Sequence, residues 1–232
     1  YYCCVEDPSI HTMLFSIARY DPQTSWMIYS QTVIPTHYPE NIQIARTITE
    51  QEAKRDERNE EQVYVPSLAK DLLEQISFEA RDSEYVDVKS GVSARMSITA
   101  FENLLSTAER RALLSGDEET SVRLSDFTGV IPAITGKVEL VYEGEQEGAA
   151  KVAYNLIGDA IKNLFPEFFP EIEKLKKETE ESPYDEIVSW FFNSQDGFEL
   201  LDDIRDKEYQ RLLDTVTPLD DLLGAHQPKL TK

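Results

Sequence analysis

Apolar residues recur every third or fourth position along three long stretches of this chain, and no other feature constrains its fold as strongly. Leu68, Leu72, Ile76 and Ala80 form one series, Ile98, Phe101, Leu105, Ala108 and Ala112 a second, and Val152, Leu156, Ala160 and Leu164 a third. Residues at this spacing line one face of an α-helix, whereas a strand would repeat every second residue. Each apolar face must be covered, so the spacing predicts a mainly α chain whose amphipathic helices share a core.

Punctuation residues place the boundaries. Pro39 suits a first helical turn, with Ile42, Ala45 and Ile48 on one face. Residues 50–62 are dense in charge and read as a helix end followed by a solvated loop. Pro66 opens the next helix, residues 82–92 form a loop with Gly91 near its end, and the following helix stops at Gly116. Ser125 or Asp126 can cap a fourth, short helix that Pro132 is expected to bend or stop. Through Thr135-Gly136 to Tyr142, the spacing of Ile134, Val138 and Val141 favours helix over the β preference of the two valines. A helix over residues 149–164 precedes a connector, 165–183, framed by Pro166, Pro170 and Pro183. Three short helices, 187–192, 198–204 and 209–216, complete the pattern, with the stripe Ile187, Trp190 and Phe191 expected to pack into a core.

Residues 1–31 differ from the rest, with Glu6, Asp7, Arg19 and Asp21 as their only charged side chains. Two β-leaning runs, 11–19 and 26–34, flank Asp21-Pro22-Gln23-Thr24-Ser25 and fit a short β-hairpin. The chain thus divides into an N-terminal segment (1–31), a helical domain (32–165) and a helical C-terminal extension (166–232). It starts at Tyr1 rather than Met, which fits a truncated or processed chain.

The charge balance is 44 acidic against 23 basic residues, net −21, a surface that repels a phosphate backbone and argues against nucleic acid as a partner. No apolar run approaches the roughly 18 residues of a membrane span, and no signal-peptide pattern is present. The adjacent Cys3 and Cys4 cannot build a disulfide framework, which fits a reducing cytoplasm. His11, His37 and His226 lie too far apart for metal-ligand spacing, so no metal site is expected.

The sequence contains no G-x-x-x-x-G-K-S/T loop to cradle a triphosphate, and no apolar strand ending in paired acids to hold magnesium. Acid pairs such as Asp202-Asp203 and Asp220-Asp221 are expected by chance in a chain with 44 acids. Ser90-Gly91-Val92-Ser93-Ala94-Arg95 stands out because it puts a single arginine in the first turn of a long amphipathic helix. Free amides and a planar guanidinium fork at such a place suit a phosphate. The competing expectation is a surface ion pair between Arg95 and Glu84 or Asp87.

Three stretches carry a resemblance to a family: THYPENIQIARTITEQEA (36–53), SGVSARMSITAFENLLSTAERRAL (90–113) and RLSDFTGVIPAITGKVELVYEGE (123–145). They resemble the lid and following helices of AAA+ ATPases of the magnesium-chelatase ATPase-subunit type, over about residues 32–165 and more loosely beyond. The resemblance implies an AAA+ lid-like helical bundle followed by a helical extension. It implies that ATP with Mg2+ is bound by a separate nucleotide-binding core, and that the lid closes over it and relays its state to neighbouring subunits of a ring. The family pattern G-A/V-S-x-R falls on Gly91, Val92, Ser93, Ala94 and Arg95, so the resemblance assigns Arg95 as the sensor of ATP phosphate, with Gly91 and Ser93 as neighbouring motif residues. Where the family has a basic run carrying an arginine finger, this chain has Trp26-Met27-Ile28-Tyr29-Ser30, and residues 1–30 do not resemble the family. The chain alone is therefore expected to be inactive. The alternative function is a stand-alone acidic helical module that binds a protein through its acidic face or the Trp190 stripe and has no nucleotide role.

Overall fold

The computed structural model describes residues 11–21, 26–36, 38–55, 61–170, 182–194 and 198–226, the first two stretches by backbone alone. Cys3, Cys4, His37 and most of the expected connector lie outside the described residues. The chain is mainly helical.

The hairpin expected near the N-terminus is present: β1 (His11–Asp21) pairs antiparallel with β2 (Trp26–Thr36), from His11 opposite Thr36 to Asp21 opposite Trp26. Helix α1 (Ile42–Glu52) follows, and the Asn41 side chain accepts the Ile44 N–H at 2.9 Å to cap it. A two-residue strand, β3 (Val63–Tyr64), pairs parallel with β4 (Thr120–Ser121), a pairing too short to leave a sequence signal. Helix α2 (Ser67–Asp82) starts directly after Pro66, as expected, and α3 (Ala94–Ser115) ends at Gly116. Gly116 holds φ at +77°, a left-handed conformation that L side chains resist, and the Gly116 and Asp117 amides both return to the Ala112 carbonyl.

The long α3 runs through the middle of the bundle, packed by α1, α2 and the short elements of residues 120–135. Phe101, Leu104 and Leu105 are buried there, each contributing about 1.5–3 kcal/mol through removal from water. Helix α6 (Ala149–Phe168) covers α2 with Val152, Ala153, Leu156, Ala160 and Leu164. Arg46 of α1 donates to both Glu50 and Asp71, tying α1 to α2 at the rim.

Four expectations about elements before residue 169 need correction. Pro132 does not stop a helix; it lies in the first turn of α4 (Ile131–Thr135), where its missing N–H costs nothing. The element before it is a 3-10 helix (Leu124–Val130) rather than an α-helix, capped at Arg123. Asp126 sits inside this helix, accepting the Arg123 N–H at 2.8 Å. Residues 136–141 are not helical: after a turn, Leu140 bridges to Val86 and the β-branched valines win locally. Helix α5 (Tyr142–Glu147) begins only after them. Helix α6 does not stop at Leu164 but continues through Pro166 to Phe168, where the Phe169 N–H still reaches the Phe165 carbonyl.

Three short helices end the described chain, α7 (Asp185–Asn193), α8 (Asp206–Asp214) and α9 (Thr217–His226). Residues 198–204 form irregular chain and a turn instead of the expected helix. The Ile187, Trp190 and Phe191 stripe does not enter the core. Trp190 and Phe191 pack edge-on against Phe198, and Phe191 stays exposed.

Candidate functional site

Residues 83–93 connect α2 to α3, and backbone bonds fix this loop on both sides. Asp87 N–H donates to the Glu139 carbonyl at 2.9 Å, and Val141 N–H donates to the Tyr85 carbonyl at 3.0 Å. Within the loop, the Asp87 carboxylate accepts the Lys89 N–H at 3.1 Å and the Ser90 hydroxyl at 2.8 Å, which lowers its pKa, the Ser90 hydroxyl being the largest cause.

Gly91 closes the loop with its amide on the Asp87 carbonyl at 3.1 Å and φ at +67°. A side chain there would be strained twice, since a Cβ would lie 2.3 Å from the Tyr38 hydroxyl. Ser93 then caps α3: its hydroxyl accepts the Arg95 N–H at 3.3 Å, and its carbonyl takes the Met96 N–H at 2.9 Å. Val92 and Met96 are buried on either side of the cap and fix the helix start against the bundle.

Arg95 lies on the opposite face of this turn and is exposed. Among the described residues it forms no ion pair, and neither Glu84 nor Asp87 engages it. The three motif residues thus meet in one turn: Gly91 shapes it, Ser93 caps it and Arg95 is presented from it.

Sequence reasoning missed a second cation beside this turn. Arg81, in the last turn of α2, lays its guanidinium 4.5 Å above the Tyr38 ring and 5.0 Å from the Phe78 ring, and donates to Ser77 Oγ at 3.0 Å. Among the described residues its buried Nε and Nη1 have no hydrogen-bond partner, and burial pushes its pKa down. The only advance signal was a basic residue in a helix's last turn, which a dipole preference alone explains. A cavity of about 60 Å3 lies between Tyr38, Arg81 and Gly91, room for water-sized groups and not for a triphosphate. A phosphate meeting Arg95 would therefore lie outside the bundle.

A buried charge network also escaped the sequence reading. Arg111 donates from Nε and Nη2 to the two oxygens of Asp126, at 3.0 and 2.9 Å, and both side chains are almost fully buried. Burial alone would lower the Arg111 pKa, but Asp126 and Asp206 outweigh it and raise the value. Arg111 stands three residues after Ala108 and one before Ala112, so the helical period places it on the apolar face; that was the available signal.

Among the described residues no three His, Cys, Asp or Glu side chains converge as a metal site, and no helix is long and apolar enough to cross a membrane. No protein-family model, curated protein or solved structure matches the chain.

Proposed function

We propose that this chain is the lid and sensor part of an AAA+ ATPase resembling the magnesium-chelatase ATPase subunit. It would close over ATP and Mg2+ bound by a separate nucleotide-binding core and pass that state to neighbouring subunits of a ring. The observation that carries the reading is the presentation of Arg95, exposed on the first turn of α3 and paired with no acid among the described residues. The buried face of α3 fixes the direction of this turn, so the Arg95 side chain is exposed at the surface of the bundle. A guanidinium fork can meet two phosphate oxygens at once, and preorganised charge contributes most where negative charge develops in a water-excluded site.

The test is amide hydrogen exchange in a parent protein that carries both a phosphate-loop core and this chain. Addition of ATP and Mg2+ is expected to slow exchange over residues 91–96, and to leave those residues unchanged in the present chain alone. Unchanged exchange there in the ATP-loaded parent would contradict the reading.

A second reading is favoured by a different observation. Val188, Phe191 and Phe192 are exposed on α7, in a chain of net charge −21. A stand-alone interaction module with no nucleotide role would use this face, and it predicts protection over residues 185–193 by a protein partner with no response to ATP.

A further inference from the structure

The main apolar core ends with α6: among the described residues, none after Phe168 joins it. Among the described residues after Pro183, two attachments to the bundle differ in chemistry. At the first, Tyr184 packs near Phe165, with ring centroids 6.4 Å apart, and donates its hydroxyl to the Pro170 carbonyl at 2.7 Å. At the second, the turn before α8 docks on the end of α3 and on β4 almost wholly through polar groups.

Asp206 is the centre of that second attachment. Its Oδ1 accepts from Arg111 Nη1 at 3.1 Å, from the Thr120 hydroxyl at 3.1 Å and from Arg123 Nη2. Its Oδ2 accepts the Ser121 N–H at 2.9 Å, and its own amide donates to Asp117 Oδ2 at 2.9 Å. Around it, Arg123 donates to the carbonyls of Asp202 and Ile204 and lies 4.0 Å from the Tyr209 ring, while Arg205 donates to the Ser115 carbonyl. Burial alone would raise the Asp206 pKa, but the Ser121 amide and Arg123 outweigh it and lower the value. Val216 and Leu222 are buried, yet both lie outside the main core, where α9 packs on α7 and on α8.

We propose that Arg111, Arg123, Thr120 and Ser121 form a carboxylate cradle which the chain fills with its own Asp206, and that this one carboxylate latches residues 198–226 onto the bundle. The partition of charge makes the latch separable. When Asp206 leaves, Arg111 keeps both oxygens of Asp126, so the bundle retains its paired buried charge. Arg123 then loses Asp206 and its carbonyl partners together, and its fork turns to water. The emptied cradle would present the Arg123 fork, Arg111 Nη1, the Thr120 hydroxyl and the Ser121 amide.

The latch is tested on the full chain by hydrogen exchange of Asp206→Asn, which keeps the side-chain shape and removes the charge. Amides of residues 206–216 are expected to exchange about 10- to 100-fold faster, the range for losing charge-assisted bonds. Amides of residues 100–108 should keep their protection, and Asp206→Glu should retain most of the tail's protection. Unchanged exchange in Asp206→Asn would overturn the proposal, because other contacts would then hold the segment. So would an equal loss of protection in residues 100–108, which would make the segment an integral part of the bundle, or full release in Asp206→Glu.

Discussion

Glu74 lies on α2 with its side chain buried at 2% exposure, facing Thr49 of α1 and Ser97 of α3. Burial raises its pKa, while the two hydroxyls and Arg81 pull the other way without winning. A folded chain that holds this proton more tightly than the unfolded chain gains stability that is fully present below the ordinary carboxylate range. That contribution is lost as pH rises through the raised value. Glu74→Gln keeps the neutral shape and is expected to melt above the wild type at about pH 8 and alongside it at about pH 4, as followed by circular dichroism. A variant melting below the wild type at both values would mean that the ionised carboxylate is a net stabiliser. Single residues of this kind were the least legible in the sequence. Leu72 and Ile76 declare the buried face of α2, but the burial of Glu74 depends on the approach of α1 and α3, which no local spacing encodes. Arg111 is a similar case, since its partner Asp126 comes from another element. The placement of Gly91, Ser93 and Arg95 in one turn was legible because chain order and spatial order coincide there.

Elements with a strong period could be read directly, and those decided by packing could not. The apolar faces of α2, α3 and α6 gave their starts and most of their lengths, and Gly116 gave the end of α3. The segment from Leu124 to Thr135 was misread because its geometry follows the surface of α3. Gly129 shows the constraint: a Cβ there would lie 1.9 Å from Thr107 Oγ1 and 2.9 Å from Thr107 Cβ. Thr107 has little room to yield, being β-branched and bonded through its hydroxyl to the Asn103 carbonyl at 2.8 Å. Gly129→Ala is therefore expected to lower unfolding free energy by about 1–3 kcal/mol in urea titrations. Adding Thr107→Ala should recover part of that loss, and strictly additive losses would contradict the contact. Residues 136–141 were read as helix from their spacing alone. The pairing with residues 85–87, which holds the loop before Gly91, was the long-range interaction that overrode it.

At the scale of the whole molecule, the mainly helical class followed from periodicity, and the hairpin followed from the two β-leaning runs on either side of residues 21–25. β1 pairs with β2, while the bundle's core is drawn from Val63 to Leu164. A chain beginning at Thr32 is thus expected to unfold cooperatively with little change in melting temperature. Loss of the cooperative transition would show that the hairpin is integral to the bundle. The attachment of residues 198–226 had no sequence signal, because Arg123 and Asp206 are 83 positions apart and neither belongs to an apolar pattern. The functional account rests on Arg95 acting on nucleotide held by a core that these 232 residues lack a phosphate loop to form. The most direct measurement is steady-state ATP hydrolysis by a parent protein carrying that core, with Arg95→Ala and Arg95→Lys compared with wild type. The account predicts that alanine lowers turnover by about 10- to 1000-fold, the range for one positioned charge donor, with thermal stability nearly unchanged. Lysine should restore only part, since an ammonium lacks the planar fork. Hydrolysis by Arg95→Ala at the wild-type rate would contradict the sensor role and with it the central claim.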